Sequence, residues 1–178
     1  LSPYEYDAQQ FSEDGTLDRL ESPNSEHLLG TTQRGEDVLS RILYGARPTV
    51  ITGLLGGFMM VGIGMSIGVT AGYLGGTTEA VLMRFTDFVY GVPLIPFALV
   101  LISFVGVSFI GSIFVIGLIL WRGNARVMRY QVLQIKNRSY IQSARAVGAS
   151  PSHIIFKHIL PNLTGMAVLF FSIGIGIA

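Results

Sequence analysis

Three stretches of this chain contain no charged side chain: Pro48 to Thr78, the 34 residues from Phe88 to Trp121, and the 16 residues from Leu163 to Ala178. A helix crosses the hydrocarbon core of a bilayer with about 20 apolar residues. The first run therefore predicts one span at about 49–74. The second is too long for one helix and predicts two, at about 80–104 and 108–128, with a turn near Gly106-Val107-Ser108. The third predicts the start of a further span, 162–178, truncated where the chain stops inside an apolar run. With a chain that opens on Leu1, this is the pattern expected of a piece of a longer protein. Buried core helices of a water-soluble protein would need polar elements to cover them. Only 13% of residues are charged, against about a quarter in soluble domains, while half are apolar and the mean hydropathy is +0.55. The expected fold class is all-α, a polytopic membrane helix bundle, with an extracytoplasmic segment 1–47 and a transmembrane domain 48–178.

A net charge of +1 conceals two opposed ends. Residues 1–40 hold nine acids and two arginines; residues 122–178 hold seven basic residues and no acid. Basic loops stay on the cytoplasmic side. That puts 129–161 in the cytoplasm and 1–47 outside. No ionisable residue falls within an apolar run, which disfavours a proton relay or an ion-coupled carrier built on this chain alone. Arg84 and Asp87 are spaced to pair locally, as are Asp37 and Arg41. The segment 27–48 predicts a short amphipathic helix, with Val38, Leu39, Ile42 and Leu43 on one face, leading into the first span.

Gly64, Gly68, Gly72 and Gly76 recur every fourth residue, and Gly53 and Gly57 add a further pair. That spacing clears one helix face for close approach of another backbone. It fits tight packing within one subunit, the reading preferred here, or a seam against a second membrane subunit. There is no cysteine, and His27, His153 and His158 are too scattered in sequence to suggest a metal site. The expectation is no cofactor and no metal on this chain. No G-x-x-x-x-G-K-[ST] occurs either, so the chain holds no P-loop for ATP.

The most informative stretch is the basic loop 139–161, SYIQSARAVGASPSHIIFKHILP. Ser139 is placed to cap a helix with an apolar stripe of Tyr140, Ile141, Ala144 and Val147. Gly148 can take the left-handed conformation that ends it. Ser150 and Pro151 then restart a helix as cap and first residue. Its stripe is Ile154, Ile155, His158 and Ile159, and Pro161 marks the next break. Three readings fit two short helices meeting at a small-residue elbow. The loop packs on its own bundle; it is a helix-turn-helix for DNA; or it docks into a groove of a cytoplasmic protein. The DNA reading suffers from two tethers to membrane spans only a few residues away.

The run YIQSARAVGASPSHIIFKHILPN, residues 140–162, resembles the EAA loop of ABC importer permeases. Gln142, Ser143 and Ala144 take the Glu-Ala-Ala places, Gly148 is the glycine, and Leu160-Pro161 closes the motif. HLLGTTQRGEDVLSRILYGARP, residues 27–48, is similar to the outer segment of the dipeptide, oligopeptide and nickel permeases, with Thr32 and Glu36 where Asp and Arg often stand. The resemblance implies a type I ABC importer permease fold of six spans in the cell membrane. This chain would hold the second to the fourth and part of the fifth. It implies a second permease subunit, two cytoplasmic ATPase subunits and an extracytoplasmic binding protein as partners, within membrane lipid and without nucleic acid. The transported solute would be a peptide, or nickel or a related small solute, and ATP would be hydrolysed on the partner subunits, not here. The coupling element would comprise Gln142, Ser143, Ala144, Gly148, Ala149, Ser150, Pro151, Ile154, Ile155, Leu160 and Pro161, with the coupling helix near Ala149–Phe156. A membrane scaffold or sensor, whose basic loop binds lipid headgroups or nucleic acid, is the alternative.

Overall fold

Capping explains where the first helix begins. Asp37 sits just before α1, Val38–Leu74, and its Oδ2 accepts the Ser40 amide hydrogen at 2.7 Å, satisfying a donor that no helical carbonyl can reach. The other carboxylate oxygen meets Nδ1 of His27 at 3.0 Å, both side chains buried. Burial by itself pushes the pKa of this carboxyl up. The Ser40 hydroxyl and amide, and then His27, more than offset it, so Asp37 lies below the usual carboxylate range. The computed structural model describes residues 2–12, 14–106 and 108–177. They form two compact units, Leu1–Ile51 and Thr52–Ala178.

In the first unit, the chain before α1 is a meander held by isolated bridges, Gln9 with Glu36, Phe11 with Leu17 and Thr31 with Asp37. The expected separate amphipathic helix is absent as such: α1 starts at Val38 and runs unbroken into the apolar stretch. It passes Pro48, which donates no hydrogen bond, and the Thr49 hydroxyl donates to the Gly45 carbonyl one turn earlier at 2.9 Å. The expected Asp37–Arg41 pair is also replaced. Asp37 is committed to its cap and to His27, while Arg41 pairs with Glu36 and lies over the Tyr6 ring. His27 is not isolated either, since one of its ring nitrogens lies within 4.8 Å of carboxylate oxygens of Asp18 and Glu21.

The second unit continues α1 and adds α2 (Gly76–Gly91), α3 (Leu94–Val105), α4 (Phe109–Lys136), α5 (Ser139–Ala146), α6 (Pro151–Ile154) and α7 (Leu160–Ile177), with a π-helical turn Ile155–Ile159 between the last two. Three helical stretches are long and apolar enough to cross a membrane: Val38–Leu74, Phe109–Lys136 and Pro151–Ile177. The span expected at 80–104 is instead α2 and α3, bent by 95° at Val92-Pro93. Proline disfavours helical geometry in the residue before it. The span expected at 108–128 continues to Lys136. In the expected turn, Gly106 has φ 87 and Ser108 caps α4 by accepting the Gly111 amide hydrogen at 3.0 Å; Val107 lies outside the described residues.

The glycines on α1 fit against its neighbours. A Cβ at Gly64 would meet the Asn124 side chain at 2.9 Å, one at Gly68 the Ala125 carbonyl at 2.5 Å, and one at Gly72 the Val132 Cβ at 2.8 Å, all on α4. Gly53 and Gly57 face Ile175 and Phe171 on α7 in the same way. Gly76 has no such neighbour; with φ 55 it opens α2. The predicted Arg84–Asp87 pair does not form. Asp87 pairs with Arg126 of α4 at 2.6 Å, and Glu79 with Arg129 through its Nε at 2.6 Å.

Candidate functional site

The loop between α4 and α7 is built on a helix ending with two chain-reversal hydrogen bonds. The Ala149 amide donates to the Ala144 carbonyl and the Gly148 amide to the Arg145 carbonyl, each at 3.0 Å. Such a reversal needs a left-handed residue one past the helix cap, and Gly148 has φ 86 there. A Cβ on Gly148 would touch nothing within 4 Å, so the backbone angle alone requires glycine. Ser150 then accepts the His153 amide hydrogen at 3.3 Å, with Pro151 first in α6. At the other end, Arg138 holds the cap position and Ser139 is the first helical residue, one place from expectation.

Pro161 does not break the chain. It lies in the first turn of α7, directly after the π-helical turn. The wider i→i+5 geometry takes up a proline whose ring would clash in a regular helix. The Asn162 side-chain Nδ2 donates to the His158 carbonyl at 2.6 Å beside it.

The first predicted stripe is divided between two faces, Ile141 buried with Tyr140 and Val147 exposed, whereas the second, Ile154, Ile155, His158 and Ile159, is buried or half-buried throughout. Ile141, Ile154 and Ile159 are buried in one cluster with Val69 and Tyr73 of α1, Met128, Val132 and Ile135 of α4, and Leu163 of α7. Ala144, Ala149, Ile155 and Leu160 are half-buried around them. The opposite face holds Gln142, Ser143, Gly148, Ser150 and Pro151, all exposed, with Val147 at 85% and Phe156 at 71% exposure. Among the described residues the Gln142 side chain reaches only the Asn137 carbonyl, at 3.4 Å.

Tyr73, at the end of α1, is a residue that spacing alone did not reveal. It is 7% exposed; the Arg145 guanidinium lies 5.3 Å from its ring centre and the Lys136 ammonium 5.9 Å. Lys136 also donates to the Tyr73 carbonyl at 2.7 Å, a cation on the negative end of α1. One aromatic ring thus joins α1, α4 and α5. The signal was present only as loop charge, counted and not placed.

The family described as binding-protein-dependent transport system inner membrane component matches residues 64–178. The oligopeptide transport system permease protein OppC of Haemophilus influenzae is 35% identical over 83% of this chain and 47% of its own length. The glutathione transport system permease protein GsiD of Pectobacterium atrosepticum is 34% identical over 97% of this chain and 57% of its own. The dipeptide transport system permease protein DppC of Bacillus subtilis is 33% identical, with 95% and 51% covered. The chain spans about half the length of these curated relatives.

Proposed function

Because this chain belongs to the family of binding-protein-dependent transport system inner membrane components, we propose that it is part of the permease subunit of an ATP-driven importer of peptides, or of nickel or a related small solute. In this reading a second permease completes the pathway, two cytoplasmic ATPases bind beneath, and an extracytoplasmic binding protein delivers the solute. The loop 139–161 transmits the ATPase movement.

One observation carries the reading. The loop anchors three isoleucines in the bundle core while presenting Val147 and Phe156 outward on either side of the Gly148 elbow. Burying those two side chains against a partner removes apolar surface from water. The inward anchoring makes the loop and the spans move together. The scaffold or sensor alternative has less to stand on. Arg122, Arg126, Arg129 and Lys136 are engaged with carbonyls or carboxylates of α1 and α2, so much of the basic charge is spent inside the bundle.

Gly148→Val in the full-length protein is the test. A β-branched residue at positive φ is strained, so the elbow must reshape. The expected result is ATP hydrolysis that no longer drives uptake, with the complex still assembled. Wild-type uptake in that variant would overturn the coupling role.

A further inference from the structure

We propose that Asp18, Glu21 and His27 form a resident site for one divalent transition-metal ion of the Zn2+ type, a structural ion and not a cargo. A ring nitrogen of His27 and one carboxylate oxygen from each acid lie within 4.8 Å of one another. Among the described residues the three make no hydrogen bond to one another; the ion pair of His27 is with Asp37. Ligand atoms sharing one ion at about 2.0–2.2 Å stand about 3–4.5 Å apart, depending on the angle. These three atoms lie no more than 4.8 Å apart, close to that range.

A second observation concerns His27. It is 3% exposed, and among the described residues its ring makes one hydrogen bond, to Asp37 outside the trio, through Nδ1. Asp37 is itself held in place by its cap on the Ser40 amide. Nε2 makes no hydrogen bond among the described residues. A carboxylate behind an imidazole, with the far nitrogen free, is how proteins orient a metal-binding histidine. Two carboxylates and a neutral imidazole carry charge −2, which a divalent cation neutralises. An imidazole in the set favours Zn2+ over Ca2+ or Mg2+, whose ligands are oxygens.

The local fold brings the acids together. The Thr31 hydroxyl accepts the Glu21 amide hydrogen at 2.9 Å and donates to the Asp18 carbonyl at 2.5 Å. Leu20 between them has φ 53, the one non-glycine residue at positive φ among those described. A Cβ on Gly30 would run into the Glu21 carbonyl, so the segment 27–30 passes close to the 18–21 loop. Bound there, the ion would tie the 18–21 loop to the Asp37 cap of α1.

The experiment uses the full-length protein in its assembled complex, stripped with chelator, equilibrated with Zn2+, desalted and analysed for metal. The wild type is expected to retain one more Zn2+ per copy than the His27→Gln variant. Glu21→Gln changes a half-buried residue whose side chain otherwise meets only Asn24; it should weaken Zn2+ at least tenfold in titration without altering assembly. Asp37→Asn should weaken it about 10–100-fold. Equal Zn2+ retention by wild type, His27→Gln and Glu21→Gln overturns the proposal, as does Ca2+ binding as tightly as Zn2+. Metal content does not depend on transport, so this result stands apart from the test of the permease reading.

Discussion

At Gly68 an added Cβ would fall 2.5 Å from the Ala125 carbonyl oxygen and 2.7 Å from the Met128 Cβ. Neither is the far end of a flexible side chain, so Gly68→Ala must push α1 and α4 apart. Overpacking of this kind costs about 1–3 kcal/mol. Gly62 is on the same helix but has nothing within 4 Å of its Cβ position. The thermal midpoint of the purified full-length protein should fall for Gly68→Ala and stay level or rise for Gly62→Ala. Equal losses would mean that the seam is not what glycine provides at Gly68. The cap of α1 is a second single-residue lever. Asp37→Ala removes a cap worth ~1 kcal/mol and strands a buried imidazole, for about 1–3 kcal/mol more. That loss should appear as earlier melting, and Asp37→Asn, which keeps an oxygen for Ser40, should recover part of it.

Between elements, the bend from α2 to α3 leaves carbonyls at the end of α2 without helical partners. Arg122 of α4 supplies them: Nη1 donates to the Val89 carbonyl at 2.9 Å and approaches that of Val92 at 3.4 Å. A hydrogen bond from a charged donor is worth about 1.5–3 kcal/mol, so Arg122→Leu should destabilise by that order. The exposed Arg126–Asp87 pair is worth about 0–1 kcal/mol, and Asp87→Asn should hardly register in the same melting assay. These cross-helix contacts also mark what could be read in advance. The apolar runs located α1, α4 and α7 because hydropathy is local, and Gly148, Ser150 and Pro151 announced the elbow because backbone chemistry is local too. The continuity of the amphipathic stretch with the first span was hidden because Arg41 and Arg47 interrupt the apolar run. Gly91-Val92-Pro93 did carry the signal for the bend, but uncharged flanks masked it. The passage through Pro161 depends on a π-helical turn that no residue pattern specifies. Which carboxylate meets Arg126 or Arg129 depends on helix rotation, and local spacing suggested Arg84 instead.

Across the chain, charge and chemistry separate by end. The first forty residues carry nine acids, and the basic residues gather from Arg122 onward. With five of the seven later cations engaged by α1 and α2, Arg145 through the Tyr73 ring, Arg138 and Lys157 remain exposed on the loop that presents Val147 and Phe156. That face is apolar with a basic margin, suited to a protein groove more than to a polyanion, because counterion release needs several free cations together. The orientation rule then makes a sharp demand on topology. This chain has no cysteine, so single cysteines placed in a full-length protein cleared of others report position directly. In spheroplasts, a membrane-impermeant maleimide should label Asp14→Cys at once and Arg138→Cys or Lys157→Cys only after permeabilisation. Labelling of the latter two from outside would remove any ATPase from reach of the loop. On the proposed function, in inverted vesicles the same reagent should reach Val147→Cys slowly while the proposed ATPases are bound and quickly once they are stripped. An unchanged rate would mean that the exposed side chain at the elbow is not what the partner covers.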